Sequence, residues 1–248
     1  MSPGMSTLTF SSNPRRERVS KKTRVWRSAL ECTLFHRASP PNAESAPRQS
    51  GKTLRGAAAR IAGLLQTVKL STGRDLQYFA ALAFAYARDD ARAKALANDL
   101  DKSYPEDTIV QFNYLPTVRG RLALNRGDAS AAIASLGFAV PYELGRARAI
   151  DLDWTAMFPV FVRGEAYLAA HKGSEAAAEF QKILDHRGLV LNQPIGALAH
   201  LGLGRAYVLQ GDIPKGKAAY QDFLALWKDA DPDIPILKQA KAEYAKLQ

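Results

Sequence analysis

The sequence predicts an all-α fold, a solenoid of helical hairpins with a C-terminal capping helix. Three observations carry this. From residue 53 the apolar residues recur at helical spacing, first as Leu54, Ala57, Ala58, Ile61, Leu64, Leu65 and Val68. Small residues then return at a near-constant interval: Ala93 to Ala132 is 39 residues, Ala132 to Ala176 is 44, and Ala176 to Gly216 is 40. Midway through each unit stands a turn, at Asp89-Asp90, Gly127-Asp128, around Gly173, and at Gly211-Asp212. A glycine stop followed by a short polar cap ends one helix and starts the next.

Taken in order, residues 1–52 form a leader and 53–248 the repeat domain. The leader is rich in Ser, Pro and Arg, is broken at Ser39-Pro40-Pro41-Asn42, and reads as a disordered basic tail. Its most apolar stretch, Ala29-Leu30-Glu31-Cys32-Thr33-Leu34-Phe35, is interrupted by Glu31, so it is not a secretory signal. Its Arg- and Ser-rich, acid-poor composition matches an organelle transit peptide only superficially. Residues 53–70 read as the second helix of a block whose first helix is missing, which makes the array the expected C-terminal piece of something longer.

Four blocks follow, near 76–105, 109–141, 157–187 and 197–228. In each, a small residue on the first helix (Ala83, Gly120, Gly164, Gly204) faces a small residue on the second (Ala93, Ala132, Ala176, Gly216), letting the two approach closely. Tyr167 with Phe180, and Tyr207 with Tyr220, fill the space that remains. Pro116 falls inside the first helix of the second block, so that helix is expected to start late or to kink. Residues 235–248 form the cap: Pro235 opens it, Leu237, Ala240, Tyr244 and Leu247 line its apolar face, and Lys238, Lys241, Glu243 and Lys246 its polar face.

Composition sets bounds. The chain has 248 residues, 47% of them hydrophobic, and a formal net charge of +10. Residues 1–60 carry 12 Lys and Arg against three acids, so +9 sits in the first quarter and +1 in the rest. The charge therefore belongs to the leader, and nucleic-acid binding, which would depend on it, ranks last among the readings. The apolar runs are too short to span a bilayer. One cysteine, Cys32, excludes an internal disulfide and a cysteine zinc cluster and fits a reducing, cytoplasmic setting.

No catalytic, cofactor or metal constellation is expected. His36, His171, His186 and His200 lack metal-ligand spacing. Asp229, Asp231 and Asp233 alternate like a calcium loop, but Ile234 and Ala240 stand where that loop needs Gly and Glu. Gly51-Lys52-Thr53 lacks the earlier glycine of a phosphate loop, Ala46 standing there. Gly202 and Gly204 lie inside a helical run, and no Gly-x-Ser-x-Gly occurs.

The blocks resemble tetratricopeptide repeats over roughly residues 76–228, with the excess over the minimal period of about 34 placed in the connections. The stretch from Phe158 to Gln248 also resembles the repeat region closing a group of bacterial eukaryotic-like serine/threonine protein kinases. The likeness rests on Gly164-Glu165-Ala166-Tyr167, Glu179-Phe180-Gln181-Lys182-Ile183-Leu184, and the ending Trp227-Lys228-Asp229-Ala230-Asp231-Pro232-Asp233-Ile234-Pro235. With no Gly-rich loop, His-Arg-Asp or Asp-Phe-Gly in the chain, the resemblance implies a regulatory or docking relative without phosphoryl-transfer activity.

The resemblance to tetratricopeptide repeats also implies a concave groove lined by the first helices. Its positions fall on Phe84, Arg88, Arg121, Asn125, Phe161, Glu165, Leu168, Leu201, Arg205 and Val208. The mixed signs of Arg121, Glu165 and Arg205 argue against a groove tuned for an acidic tail. The expected function is a protein-interaction scaffold, not an enzyme, that binds a peptide or partner domain in this groove. The alternative is a kinase-associated docking module.

Overall fold

A computed structural model describes residues 73–145, 156–191 and 193–248. The basic leader and the half-block at 53–70 lie outside the described residues. Among the described residues the chain forms ten α-helices, one π-helical turn and no strand. The helices are α1 (Arg74–Tyr86), α2 (Asp90–Ser103), α3 (Leu115–Asn125), α4 (Ala129–Gly137), α5 (Phe158–Ala169), α6 (Gly173–Asp185), α7 (Arg187–Val190), α8 (Ile195–Leu209), α9 (Ile213–Leu226) and α10 (Pro235–Ala245). They pack as consecutive hairpins, α1 with α2, α3 with α4, α5 with α6 and α8 with α9. The one-turn α7 links α6 to α8, and α10 closes on α9.

The turns explain the hairpins. Each carries one residue in the left-handed region: Arg88 (φ 64°), Gly127 (79°), His171 (56°) and Gly211 (80°). The carboxylates of Asp89, Asp128 and Asp212 then accept the backbone N–H of Arg92, Ala131 and Lys215 at 3.3, 2.8 and 3.1 Å, capping α2, α4 and α9. The third turn differs from expectation, because His171 makes it and Gly173 begins α6. Packing is the reason. A Cβ on Gly173 would lie 2.8 Å from Gln210 Cγ and 3.0 Å from the Ala206 carbonyl oxygen.

Pro116 both delays and distorts its helix. A π-helical turn, Val110–Tyr114, precedes α3, and Pro116 sits within the first two positions of α3. A proline has no N–H for the carbonyl four residues back, and its ring crowds that carbonyl. Widening the turn to the π spacing relieves both, and Leu115 N–H reaches back to the Val110 carbonyl. Pro159, Pro214 and Pro235 open α5, α9 and α10 from the same first-turn position.

Helix contacts follow the small residues. A Cβ on Gly120 would meet Leu136 at 2.8 Å, one on Gly164 would meet Phe180 at 2.7 Å, and one on Gly204 would meet Tyr220 at 2.8 Å. A Cβ on Gly202 would meet the same Phe180 ring at 2.6 Å, so the ring lies between α5 and α8. Ala93, Ala132 and Ala176, on the second helices, are fully buried. One apolar core runs through the described helices from Tyr78 to Ala240.

Charge is also buried in the scaffold. Glu143, in the turn after α4, is fully buried and accepts Arg163 Nη1 and Nη2 at 2.9 and 3.1 Å. Arg163 also bonds Glu179 at 2.9 and 2.6 Å and the Leu136 carbonyl at 3.2 Å, and Lys182 pairs with Glu143. Burial pulls the Arg163 pKa down, but Glu179 and Glu143 outweigh it and leave the guanidinium held charged. Among the described residues no helix is long and apolar enough to cross a membrane.

Candidate functional site

The first helices α1, α3, α5 and α8 carry nine of the ten groove positions; Arg88, expected on the first helix, lies beyond α1 in the turn to α2, where its φ is left-handed. On the N-terminal side these helices do not leave a groove. Phe79 of α1 meets Phe158 of α5 edge-on at 5.9 Å, and the Tyr86 hydroxyl donates to Glu165 Oε2 at 2.7 Å. α1 therefore touches the first helix two blocks on, across the face where a groove would open.

A polar cluster seals this contact. Arg121 Nη1 donates to Glu165 Oε2 at 3.2 Å, its Nε and Nη2 donate to Asn125 Oδ1 at 3.2 and 2.9 Å, and its guanidinium lies 4.7 Å from the Tyr86 ring centre. Asn125 Nδ2 donates to the Ala85 carbonyl at 2.7 Å and to Asp90 at 2.6 Å. Arg88 donates to the Asn125 carbonyl. Burial and the adjoining Glu165 charge push the Tyr86 hydroxyl well above its usual pKa, so it stays a donor. Arg121 is only 7% exposed. Burial alone would lower its pKa; Glu165 and Tyr86 more than reverse this. Four of the predicted positions, Arg88, Arg121, Asn125 and Glu165, are thus joined in one network that binds the chain to itself.

Three others pack into the fold. Phe84 is buried beneath the Arg92 guanidinium, 5.8 Å from its ring centre, and Leu201 is buried in the core. Val208 faces α9, where its Cγ2 lies 2.8 Å from the place a Cβ of Gly216 would take.

Five positions converge. Phe161, Glu165, Leu168, Leu201 and Arg205 line one narrow cleft of about 20 Å³ between α5, α8 and α10, with Phe180 and Ile236 in its walls. Phe161 sets its edge on Phe180 at 5.8 Å. Arg205 donates through Nε and Nη2 to Glu243 of α10 at 2.9 and 3.1 Å, and the Tyr220 hydroxyl joins at 2.8 Å. Both bonds to Glu165 end on Oε2. Among the described residues no hydrogen bond engages Glu165 Oε1 or Arg205 Nη1. Glu165 and Arg205 are the two charged residues in the lining of an otherwise apolar cleft.

The sequence placed Glu243 on the polar outer face of the cap, whereas it turns inward to Arg205 and Tyr220. Reading Glu243 as the carboxylate that completes a Tyr–Glu–Arg set, on the pattern of Tyr86, Glu165 and Arg121, would have found it. In α10 and the residue that follows it, Leu237 and Ala240 are buried and Lys238, Lys241 and Lys246 exposed.

Among the described residues no three His, Cys, Asp or Glu side chains group to hold a metal ion. No family model, curated protein or solved structure matches the chain.

Proposed function

We propose that the chain is a tetratricopeptide-like protein-interaction scaffold that holds an extended peptide segment of a partner along the cleft between α5, α8 and α10. The observation supporting this is that one otherwise apolar cleft has an acidic and a basic side chain, Glu165 and Arg205, in its lining. An extended peptide presents N–H and C=O groups that match such a pair, while its apolar side chains cover Phe161, Leu168 and Leu201. The cleft is too small to enclose a side chain or cofactor, so the partner lies across its mouth. The partner-binding part of the groove is its C-terminal half, since the N-terminal half is filled by the chain's own residues.

Leu168 tests this, because it is partly exposed at the cleft and makes none of the ionic contacts. Affinity capture of the full chain from its own cells, compared with Leu168→Asp, should lose a discrete partner while the far-UV helical signal stays intact. An identical partner set in a folded Leu168→Asp variant would sink the reading.

A further inference from the structure

A second concave surface shares no residue with the cleft. A pocket of about 500 Å³ opens where α2 leads into the π turn, walled by Pro105, Phe112, Pro116 and Phe138 and edged by Glu106 and Arg119. Its walls are tied together. Phe112 stacks on Tyr142 at 4.8 Å, and the Ser135 hydroxyl donates to the Pro116 carbonyl at 3.3 Å, joining α4 to the start of α3. Eight large apolar side chains are exposed among the described residues, and five of them, Phe112, Phe138, Val140, Tyr142 and Leu144, belong to this pocket and the segment that leaves it. Exposed apolar residues scattered singly need no explanation, but a contiguous group rimmed by polar residues marks a binding surface.

Charge says what this surface takes. Arg119 Nη2 and Gln111 Nε2 both donate to Asp101, at 2.7 and 3.1 Å, so these two donors of the lining are already held. Glu106 is exposed, and among the described residues it has no hydrogen-bond or ionic partner. The uncompensated charge of the pocket is therefore negative. Two helices also end there: α2 at Ser103, two residues before Pro105, and α4 at Gly137, one before Phe138. A helix C-terminus carries partial negative charge. α4 has no basic residue in its last turn, and Lys102 in the last turn of α2 is not in the pocket lining. A carboxylate, two helix C-termini and exposed aromatic rings together favour a cation. A guanidinium suits them better than an ammonium, because its flat face stacks on a ring while its edge pairs with a carboxylate. Val140, Tyr142 and Leu144 carry the exposed apolar surface past the pocket, so the cation that fits arrives with apolar neighbours.

We propose that the pocket binds an arginine side chain on an extended peptide of a partner protein. The guanidinium lies against Phe112 and Phe138 and pairs with Glu106. Apolar residues flanking the arginine cover Val140, Tyr142 and Leu144. This site works independently of the cleft between α5, α8 and α10.

A displayed library of random peptides, selected on the full chain, tests this. The recovered peptides should include a set with one arginine beside apolar residues. That set should be lost on Phe138→Ser and kept on Leu168→Asp, which alters only the cleft. A synthetic member of the set should bind about tenfold more weakly when citrulline, the neutral isostere, replaces its arginine, and about tenfold more weakly to Glu106→Gln. Positions 106 and 138 are both exposed, and an unchanged far-UV helical signal verifies the fold of each variant. Absence of an arginine-bearing set, its retention on Phe138→Ser, or equal affinity of the citrulline peptide would overturn the proposal. So would a concentration-dependent dimer that Phe138→Ser dissolves, which would give the surface to a second copy of the chain.

Discussion

The inner face of the array holds two clusters built from the same three parts. In one, Tyr86 and Arg121 converge on Glu165; in the other, Tyr220 and Arg205 converge on Glu243. Both arginines occupy the corresponding position of a first helix, yet their surroundings differ. The Arg121 and Glu165 side chains are 9% and 16% exposed, those of Arg205 and Glu243 23% and 24%. The first cluster draws its three residues from α1, α3 and α5 and closes the face between them. The second draws them from α8, α9 and the cap, and its arginine lines a cleft. One arrangement thus serves as a seal in one place and as the rim of a candidate binding site in the other, and burial decides which.

Breaking each cluster sharpens this contrast. The largest effect is expected at the buried ion pairs. Arg121→Met leaves Glu165 in a largely buried site without its cation and should cost about 3–5 kcal/mol, as should Glu143→Ala, which strips Arg163 of its fully buried partner. The less buried counterpart, Arg205→Met, should cost about 1 kcal/mol. Urea denaturation of the three variants measures the difference; equal costs at Arg121 and Arg205 would erase the distinction between seal and rim.

Next comes packing. Gly164→Ala or Gly202→Ala drives a methyl into the Phe180 ring and should cost about 1–3 kcal/mol. Phe180→Leu placed on top of either should recover part of it, as a steric cause requires; no recovery in the double variant would point to a different origin.

Turn strain is smaller and of opposite sign. His171 holds a left-handed φ that glycine adopts freely, and it is exposed, so His171→Gly should stabilise by about 1 kcal/mol. A drop in thermal midpoint would show that its side chain matters after all.

The smallest effect is the pH response of His200. Burial lowers its pKa below the ordinary 6.5, with Asp222 opposing this and Arg187 adding to it. The folded state thus binds the proton less readily than the unfolded chain. Its stability is complete above the unfolded pKa and declines as pH falls below about 6.5 toward the folded value. His200→Gln should flatten that part of the stability–pH curve, while an unchanged slope would assign it to other groups.

Much of this fold could be read from the residues, because hairpin pairing is local. Helical spacing and small-residue spacing locate Gly120, Gly164 and Gly204 in their hairpins, but the side chains that press on them are Leu136, Phe180 and Tyr220, where the spacing pointed to Ala132, Ala176 and Gly216. The site was less legible. That Tyr86 reaches Glu165, and that Glu143 lies buried on Arg163, depends on how tightly successive hairpins curve over one another, which no periodicity records. Five of the ten groove positions line the cleft because they share one edge of α5 and α8. Phe84, Arg88, Arg121 and Asn125 are instead taken up internally by the closure between α1, α3 and α5. His171 replaced Gly173 as the turn residue for a similar reason, since the glycine was needed where α6 meets α8.

The central claim is that a partner lies on the C-terminal cleft and not on the sealed N-terminal side. Photo-crosslinking tests it most directly, with a photoreactive phenylalanine analogue placed at position 168 or at position 88 of the full chain in its own cells. Both positions belong to the predicted groove, one beside the cleft and one beside the seal. A discrete partner adduct from position 168 with none from position 88 is the expected result. The reverse pattern, or the same adduct from both, would contradict the account.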